Sequence, residues 1–280
     1  MQILLEPQKS NIYGGNGMKF CSLYSGSSGN SIFIASENAR ILIDAGLPGK
    51  KIDEALKNIG EEAKDLDGIF VTHEHSDHIK GIGVLSRKYD IPIYTNADTW
   101  NVMEGLIGKI KEHNIKIMDR RSTISIRDLD ISSFNIPHDA VAPVGYTVHS
   151  KGKKASVTTD FGIYTEEIRD NIKDSEVILL ESNHDVNMLK FGPYPYTLKR
   201  RILSEVGHLS NDDCGKAIVD LIKYKSNKKI LLGHLSGTNN HPDLALETVI
   251  GVLRENNIIQ NKDIDLTMAN RHSPSEIIVV

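Results

Sequence analysis

Four side chains able to bind a metal crowd into six residues. The run Val71-Thr72-His73-Glu74-His75-Ser76-Asp77-His78 leads from β-branched residues straight into three histidines and an aspartate. In a tight loop, His73 and His75 are two positions apart and can turn towards one point. Asp77 and His78 can then address a second point beside it. Imidazole nitrogens and carboxylate oxygens suit Zn²⁺, Mn²⁺ or Fe²⁺, and a mixed set leaves coordination positions open for water. The alternative is a polar, solvated turn, but chance seldom places H-x-H-x-D-H at the end of an apolar strand. Two divalent ions about 3.5–4 Å apart can share a water, deprotonate it near neutral pH and stabilise attacking and leaving oxygens together. That arrangement suits phosphodiester hydrolysis. It also opens a lactam, an ester or a thioester, so the metals alone do not choose the substrate.

Such a loop needs rigid elements behind it. Short β-rich runs predict strands at 19–24, 31–35, 41–44, 68–72, 91–95, 130–136, 144–149, 155–159, 177–181 and 229–233. Helical periodicity falls between them, near 50–59, 79–89, 98–110, 164–171, 211–223 and 242–255. Strands come first as a meander, then alternate with helices, and the order repeats loosely in the second half. This pattern predicts the α/β class: sheets packed face to face with helices outside, an αββα four-layer sandwich. No linker, repeat or low-complexity block interrupts it. Asp44, His73, Asp160, Glu181 and His234 end or directly follow strand-like runs. Loops at strand ends converge while the sheet holds them rigid, so these five predict one shared rim.

With 280 residues, 39% hydrophobic and 25% charged, the chain can bury one large core under an ordinary soluble surface. A net charge of −4 argues against coating nucleic acid by bulk charge, but leaves room for a local basic patch. Cys21 and Cys214 are far apart and no CxxC occurs, so neither a disulfide framework nor a thiolate zinc site is expected. A reducing, cytoplasmic compartment fits best. No stretch of about 18 apolar residues predicts a membrane span. The first 17 residues include the turn-rich Asn11-Ile12-Tyr13-Gly14-Gly15-Asn16-Gly17 and lack the apolar core of a signal peptide. They are expected to be a disordered appendage ahead of a natural start at Met18, leaving 18–280 as a single domain.

The H-x-H-x-D-H run after a strand resembles the second motif of the metallo-β-lactamase superfamily. Counterparts of the other motifs occur in order: Ile41-Leu42-Ile43-Asp44-Ala45-Gly46, Pro137-His138-Asp139, Thr158-Thr159-Asp160-Phe161-Gly162 and Ile230-Leu231-Leu232-Gly233-His234. The resemblance spans Met18 to the C-terminus and implies that fold. It implies a first metal bound by His73, His75 and His138, a second bound by Asp77, His78 and His234, and Asp160 as the bridge. Asp44 would stand behind them, accepting a hydrogen bond from the ligand loop and orienting it. His138 also reads as an ordinary turn histidine. Its nearby rival, His149, adjoins the hairpin-like Ser150-Lys151-Gly152 and is expected to be exposed. Asp44 alone reads as a turn former before Gly46.

Gly207-His208-Leu209-Ser210-Asn211 precedes a helix-like segment with Ser210 or Asn211 as N-cap, and is similar to the nuclease branch of the superfamily. In tRNA 3′-end nucleases a histidine in such a loop helps protonate the leaving oxygen. The resemblance gives His208 that role, alongside Asp77 and Asp44 in the catalytic set, and histidine chemistry suits it. A histidine that merely packs at the helix start is the alternative. The pattern is closer still to the YycJ/VicX (WalJ) group, single-domain bacterial members described as exonuclease-like. The resembling residues are Ser25-Gly26-Ser27-Ser28-Gly29-Asn30-Ser31, Glu181-Ser182-Asn183-His184-Asp185, Gly192-Pro193-Tyr194-Pro195, Leu198-Lys199-Arg200-Arg201 and Leu235-Ser236-Gly237-Thr238-Asn239-Asn240-His241-Pro242. Too few positions separate Asp160 from His234 for the large inserted cap of some RNA-processing relatives.

Several of these residues are candidates for substrate contact. The Ser25–Ser31 loop can bring Ser27, Ser28 and Asn30 to a phosphate, or can be a tight polar hairpin. Lys199 and Arg200, near Arg201, Lys190, Tyr194 and Tyr196, can meet the backbone and bases of a single strand, or form a solvated helix face. Asn239 and Asn240 can bind substrate or support His234. Glu181 and Asn183 form an outer pair, unless Glu181 simply ends a buried strand. Together these features give a metal-dependent phosphodiesterase, a DNA exonuclease acting with two divalent ions on nucleic acid with a free end. Hydrolysis of a small ester, lactam or thioester is the second reading. A non-catalytic, metal-bound partner in bacterial two-component signalling, which the resemblance suggests, is the third; it ranks lower because no ligand is lost.

Overall fold

In the computed structural model, which describes residues 17–280, the apolar runs become two seven-stranded sheets. The appendage expected over residues 1–17 lies, but for Gly17, outside the described residues. The first sheet holds β1 (Lys19–Tyr24), β2 (Ser31–Ala35), β3 (Arg40–Ile43), β4 (Gly68–Phe70), β5 (Ile93–Thr95) and β6 (Ile115–Ile117). The second holds β7 (Thr123–Ile126), β8 (Leu129–Asn135), β9 (Val144–Ser150), β10 (Lys153–Thr158), β11 (Val177–Glu181), β12 (Lys228–Gly233) and β13 (Ile264–Met268). The last strand, β14 (Ile278–Val279), returns to pair with β1 at the first sheet's edge. Each sheet begins as an antiparallel meander and turns parallel, from β3 onwards in one and from β10 onwards in the other.

Both faces of each central strand are buried, which is why those strands read as continuous apolar runs. Ile41 and Ile43 of β3 and Val177 and Leu179 of β11 point into the seam between the sheets, with Phe70, Tyr146, Val157 and Leu231. The alternate residues point outwards. Leu42 meets α1 (Gly49–Asn58), α3 (Ile82–Tyr89) and α4 (Ala97–Ile107) through Ile52, Leu56, Leu85 and Met103. Ile178 and Leu180 meet α5 (Glu166–Ile172), α8 (Asn211–Ile222) and α9 (Pro242–Glu255) through Ile168, Ile218, Leu221 and Val249. The layers run helix, sheet, sheet, helix, as the alternation predicts. Among the described residues no helix is long and apolar enough to cross a membrane.

The helix expected over residues 79–89 begins only at Ile82, as α3, and a separate turn that the sequence reading did not place precedes it. A single turn, α2 (Ser76–Ile79), breaks at Lys80-Gly81 before α3 begins. The break is needed because Gly81 N donates to Ala45 O, and a Cβ there would run into the Leu47 carbonyl. Asp77 and His78 therefore sit on a helical turn rather than in extended loop. Two short helices that the sequence reading did not place, α6 (Val186–Phe191) and α7 (Tyr196–Ile202), lie between β11 and α8.

The turn α2 is clamped against the end of β3. Ala45 N donates to His78 O at 2.9 Å, Asn30 N to Asp77 O at 2.8 Å and Gly46 N to Asn30 O at 2.8 Å. A Cβ on Gly46 would overlap the Asp77 carbonyl. Gly46→Ala is thus expected to lower stability by about 1–3 kcal/mol, the usual range for overpacking, and to push α2 out of place. A thermal midpoint within a degree of the parent, with unaltered metal uptake, would contradict this clamp.

Candidate metal centre

Three of the strand-end residues leave their strands through the left-handed region: Asp44 at φ 60°, Asp160 at φ 63° and His234 at φ 54°. Non-glycine residues adopt this conformation rarely, and such strain concentrates at functional sites. Here it turns the chain sharply off β3, β10 and β12, so that side chains from both sheets meet over the seam. His73 Nε2 lies 3.0 Å from His75 Nδ1, which lies 3.3 Å from His138 Nε2. These three nitrogens form one ligand group. Asp77 Oδ2 lies 3.7 Å from both His78 Nε2 and His234 Nε2, giving a second group. Asp160 stands between them, with Oδ2 3.2 Å from His78 Nε2 and Oδ1 3.8 Å from His138 Nε2. His149 is not drawn in; it is half-buried on β9 next to the hairpin turn.

The outward-facing nitrogens of His73, His78, His138 and His234 are engaged. Asp44 accepts from Thr72 N at 2.8 Å, Thr72 Oγ1 at 2.7 Å and His78 Nδ1 at 2.7 Å. With its proton on Asp44, the Thr72 hydroxyl accepts from His73 Nδ1 at 3.0 Å. His138 Nδ1 donates to Gly207 O at 3.3 Å. Glu181 Oε1 accepts from both His234 Nδ1 and His208 Nδ1 at 2.8 Å, while Oε2 accepts from Phe161 N at 2.8 Å. Donating Nδ1–H outwards leaves the Nε2 lone pairs of His73, His78, His138 and His234 turned inwards, the tautomer a cation requires. His234 Nε2 and Asp160 Oδ2 are buried yet make no hydrogen bond among the described residues. Unpartnered atoms in a converging nitrogen and oxygen set, with the histidines giving up their inward protons, fit a divalent cation.

The residues that build this site fall within the span of a known family. The profile of the β-lactamase superfamily domain matches residues 39–234, most of the chain. The chain belongs to the metallo-β-lactamase superfamily. Exodeoxyribonuclease YycJ of Bacillus anthracis is 44% identical over 239 residues, 85% of this chain and 90% of that protein. Exodeoxyribonuclease WalJ of Streptococcus pneumoniae serotype 2 is 42% identical over 241 residues, covering 85% and 89%. Among solved structures, the metallo-β-lactamase fold protein YhfI of Bacillus subtilis superposes with a TM-score of 0.71 at 15% identity, over 94% of this chain and all of that one. The short form of human tRNase Z superposes with a TM-score of 0.60 at 16% identity, over 94% and 99%.

Around this metallo-β-lactamase centre, the polar residues singled out in the sequence divide into two groups. Ser27, Ser28 and Arg200 are exposed. Asn30, Asn183 and Asn240 are buried and act as scaffolding. Asn30 Oδ1 accepts from Gly26 N and its amide nitrogen lies 3.0 Å from His78 Nε2. Asn183 donates to His234 O at 2.8 Å, and Asn240 donates to Ser182 O and Asn183 O. Asn239 is buried, with neither amide atom bonded among the described residues. Lys199 donates to the carbonyls of Lys190 and Gly192, tying α7 to the end of α6. Arg201 instead pairs with Asp139, beside the candidate ligand His138. Three supports were not assigned from sequence: Thr72, Ser25, whose Oγ accepts from His234 N at 2.8 Å, and the double role of Glu181. Glu181 carried a signal as an acid closing an apolar strand, and Ser25 as part of the glycine- and serine-rich loop; Thr72 carried none.

Electrostatics distinguish the two groups. Burial and the neighbouring imidazoles hold His73 well below its ordinary pKa, and burial also lowers His138. Burial would lower His78 too, but Asp160, Asp44 and Asp77 outweigh it and raise it well above the ordinary value. For His234, Asp160, Asp77 and Glu181 overcome burial and lift the pKa to about 10. Without a cation, His78 and His234 therefore carry protons at neutral pH that a cation must displace. Cation uptake at the second group is expected to release between about one and two protons, and affinity should rise with pH up to about pH 10. Proton release on adding Zn²⁺ to weakly buffered protein checks this; uptake without acidification would contradict it.

Proposed function

We propose that this protein is a metal-dependent phosphodiesterase, a DNA exonuclease that uses a pair of divalent ions, with Zn²⁺, Mn²⁺ and Fe²⁺ all suited to its donors. The observation that carries the reading is the position of His208. Its side chain is 19% exposed, on the open side of the cluster with the half-buried His75 and Asp77, and its ring centre lies 5.2 Å from those of both His138 and His234. A histidine placed there can give a proton to a nucleotide oxygen, which otherwise departs as a poor alkoxide leaving group. The exodeoxyribonuclease names of the two curated relatives point the same way.

Bound cations would supply a nucleophile from water near neutral pH and screen the phosphate oxygens. The chain's own residues do the rest. Asp160 spans both ligand groups and fixes their separation. Asp44 and Thr72 lock the His73 and His78 rings. Glu181 takes the Nδ1–H of His208, so that Nε2 faces the cleft and holds the proton for the leaving oxygen. Asp139, next to His138, anchors Arg201 of α7 and so keeps that helix beside the cleft. The two cysteines, Cys21 and Cys214, are free and buried, which supports a reducing, cytoplasmic setting.

End-labelled single- and double-stranded DNA, incubated with protein loaded with each metal, is expected to shorten from an end, and chelation is expected to abolish the reaction. His208→Ala should lower kcat by roughly 10²–10⁴-fold, the usual worth of a general acid, while metal content stays at the parent level. Undiminished cleavage by His208→Ala would remove its assigned role. A loaded protein that leaves every DNA end intact would defeat the nuclease reading itself.

A further inference from the structure

Past β13 the chain carries a cation to the rim of the metal centre that the mechanism above does not use. Ala269 N donates to Leu232 O, and Ser25 N donates to Asn270 O at 3.1 Å, which pins the segment onto the loop after β1. Arg271 follows, half-buried between two loops. The guanidinium stands 3.1–3.4 Å from where a Cβ on Gly26 would sit and 3.3–3.5 Å from where one on Gly237 would sit. Glycine at both positions leaves room for it, and Gly26, at φ +153°, also uses glycine's conformational freedom. Nη2 donates to the carbonyl of Leu235, one residue beyond the ligand His234, and Nη1 reaches Ser28 Oγ at 3.5 Å.

Other arginines near the sheet ends have carboxylate partners, such as Arg201 with Asp139 and Arg121 with Glu167. Among the described residues none lies within ion-pairing distance of Arg271. A partly desolvated cation without a counter-ion is costly, and a guanidinium with five N–H donors keeps some free for an anion. Ser27, Ser28 and Thr238, on either side of it, are exposed and carry hydroxyls. Both loops are tied rigidly to the ligands: Ser25 Oγ accepts from His234 N at 2.8 Å, and Asn30 N donates to Asp77 O at 2.8 Å. Anything bound at Arg271 is therefore held at a fixed offset from the cations.

We infer that Arg271, with the hydroxyls of Ser28 and Thr238, is a phosphate-binding subsite that grips a nucleic-acid phosphate neighbouring the one held at the metal centre. This rests on the nuclease reading. Arg271 is a positioning residue: it sets which phosphate reaches the metals and takes no part in the bond exchange. The forked donor geometry of arginine matches two phosphate oxygens, which a lysine ammonium matches less well.

The test compares wild type, Arg271→Ala and Arg271→Lys, all metal-loaded, on oligodeoxynucleotides over a salt series. Arg271→Ala is expected to raise KM about tenfold with kcat changed far less. It should also flatten the slope of log(kcat/KM) against log[salt] by about 1, the signature of one lost phosphate contact. Arg271→Lys should restore the slope and only part of the KM. Substrates with phosphorylated and hydroxyl ends separate the sources: a KM effect confined to phosphorylated ends assigns a terminal phosphate, and an equal effect assigns an internal one. An unchanged slope and KM in Arg271→Ala, while wild type cuts DNA, overturns the subsite and leaves the nuclease reading standing. A fall in thermal midpoint and kcat with an unchanged salt slope also overturns it, as a structural role alone. If Arg271→Ala does not fold, Arg271→Gln, which keeps a donor for Leu235 O, carries the same comparison. Wild type that cuts no DNA is the separate failure of the nuclease reading.

Discussion

Asp44, Asp160 and Glu181 are carboxylates with almost no access to solvent, and the site is organised by the need to compensate their charge. An isolated buried carboxylate is too costly to keep ionised, so each must be met by hydrogen bonds or positive charge. Asp44 and Glu181 are met by ring and backbone N–H groups: two from the Thr72–His78 stretch plus a hydroxyl for Asp44, and three from His208, His234 and Phe161 for Glu181. Asp160 differs. Its Oδ2 has no hydrogen bond, and its negative charge is held low in pKa, against burial, by His234 and His78. The outer carboxylates are satisfied by protein; the central one is left to a cation. That asymmetry suits Asp44 and Glu181 to orienting the rings and Asp160 to the bridging role proposed for it.

The same compensation explains why the site sits over the seam. Asp44 and the His73–His78 stretch leave the ends of β3 and β4 in one sheet, while Asp160, Glu181 and His234 leave β10, β11 and β12 in the other. Neither sheet alone supplies a complete set. His78 from one sheet faces Asp160 from the other at 3.2 Å, and His75 faces His138 at 3.3 Å. A cation bound among them would draw the sheets together as well as hold a substrate. Apolar packing of Phe70, Tyr146 and Leu231 beneath keeps the two sheets in register without it.

Much of this was legible in the sequence because burial on both faces forces central strands into unbroken apolar runs, and because strand ends are where polar side chains can converge. The strands missed were β6, β7, β13 and β14, which are the four edges of the two sheets. Edge strands pair on one side only and present polar residues to solvent, as the alternating exposure of β7 and β13 shows, so they lack the apolar run that marks a strand. Helix α2 was missed for a different reason. A single turn has too few residues for periodicity, and it is set by the clamp of Ala45 and Asn30 on its carbonyls, a contact far away in sequence.

Substrate contacts were the least legible part, for a reason visible in Asn30, Asn183 and Asn240. A polar residue in a loop beside a metal centre can face the ligand or hold the backbone, and residue type is the same in either case. Burial decides, and it is a property of the neighbours. Asn183 gives an amide N–H to the carbonyl of His234, and Asn240 donates to the carbonyls of Ser182 and Asn183, so both brace the backbone around the site. Arg271 is the converse: unremarkable in sequence near the C-terminus, it reaches the rim only because the residue before it is bonded to Ser25, at the opposite end of the chain. The centre is thus written in local motifs, and its surroundings in long-range contacts. An exposed hydroxyl such as Ser28 acquires meaning only once the guanidinium beside it is known to lack a carboxylate.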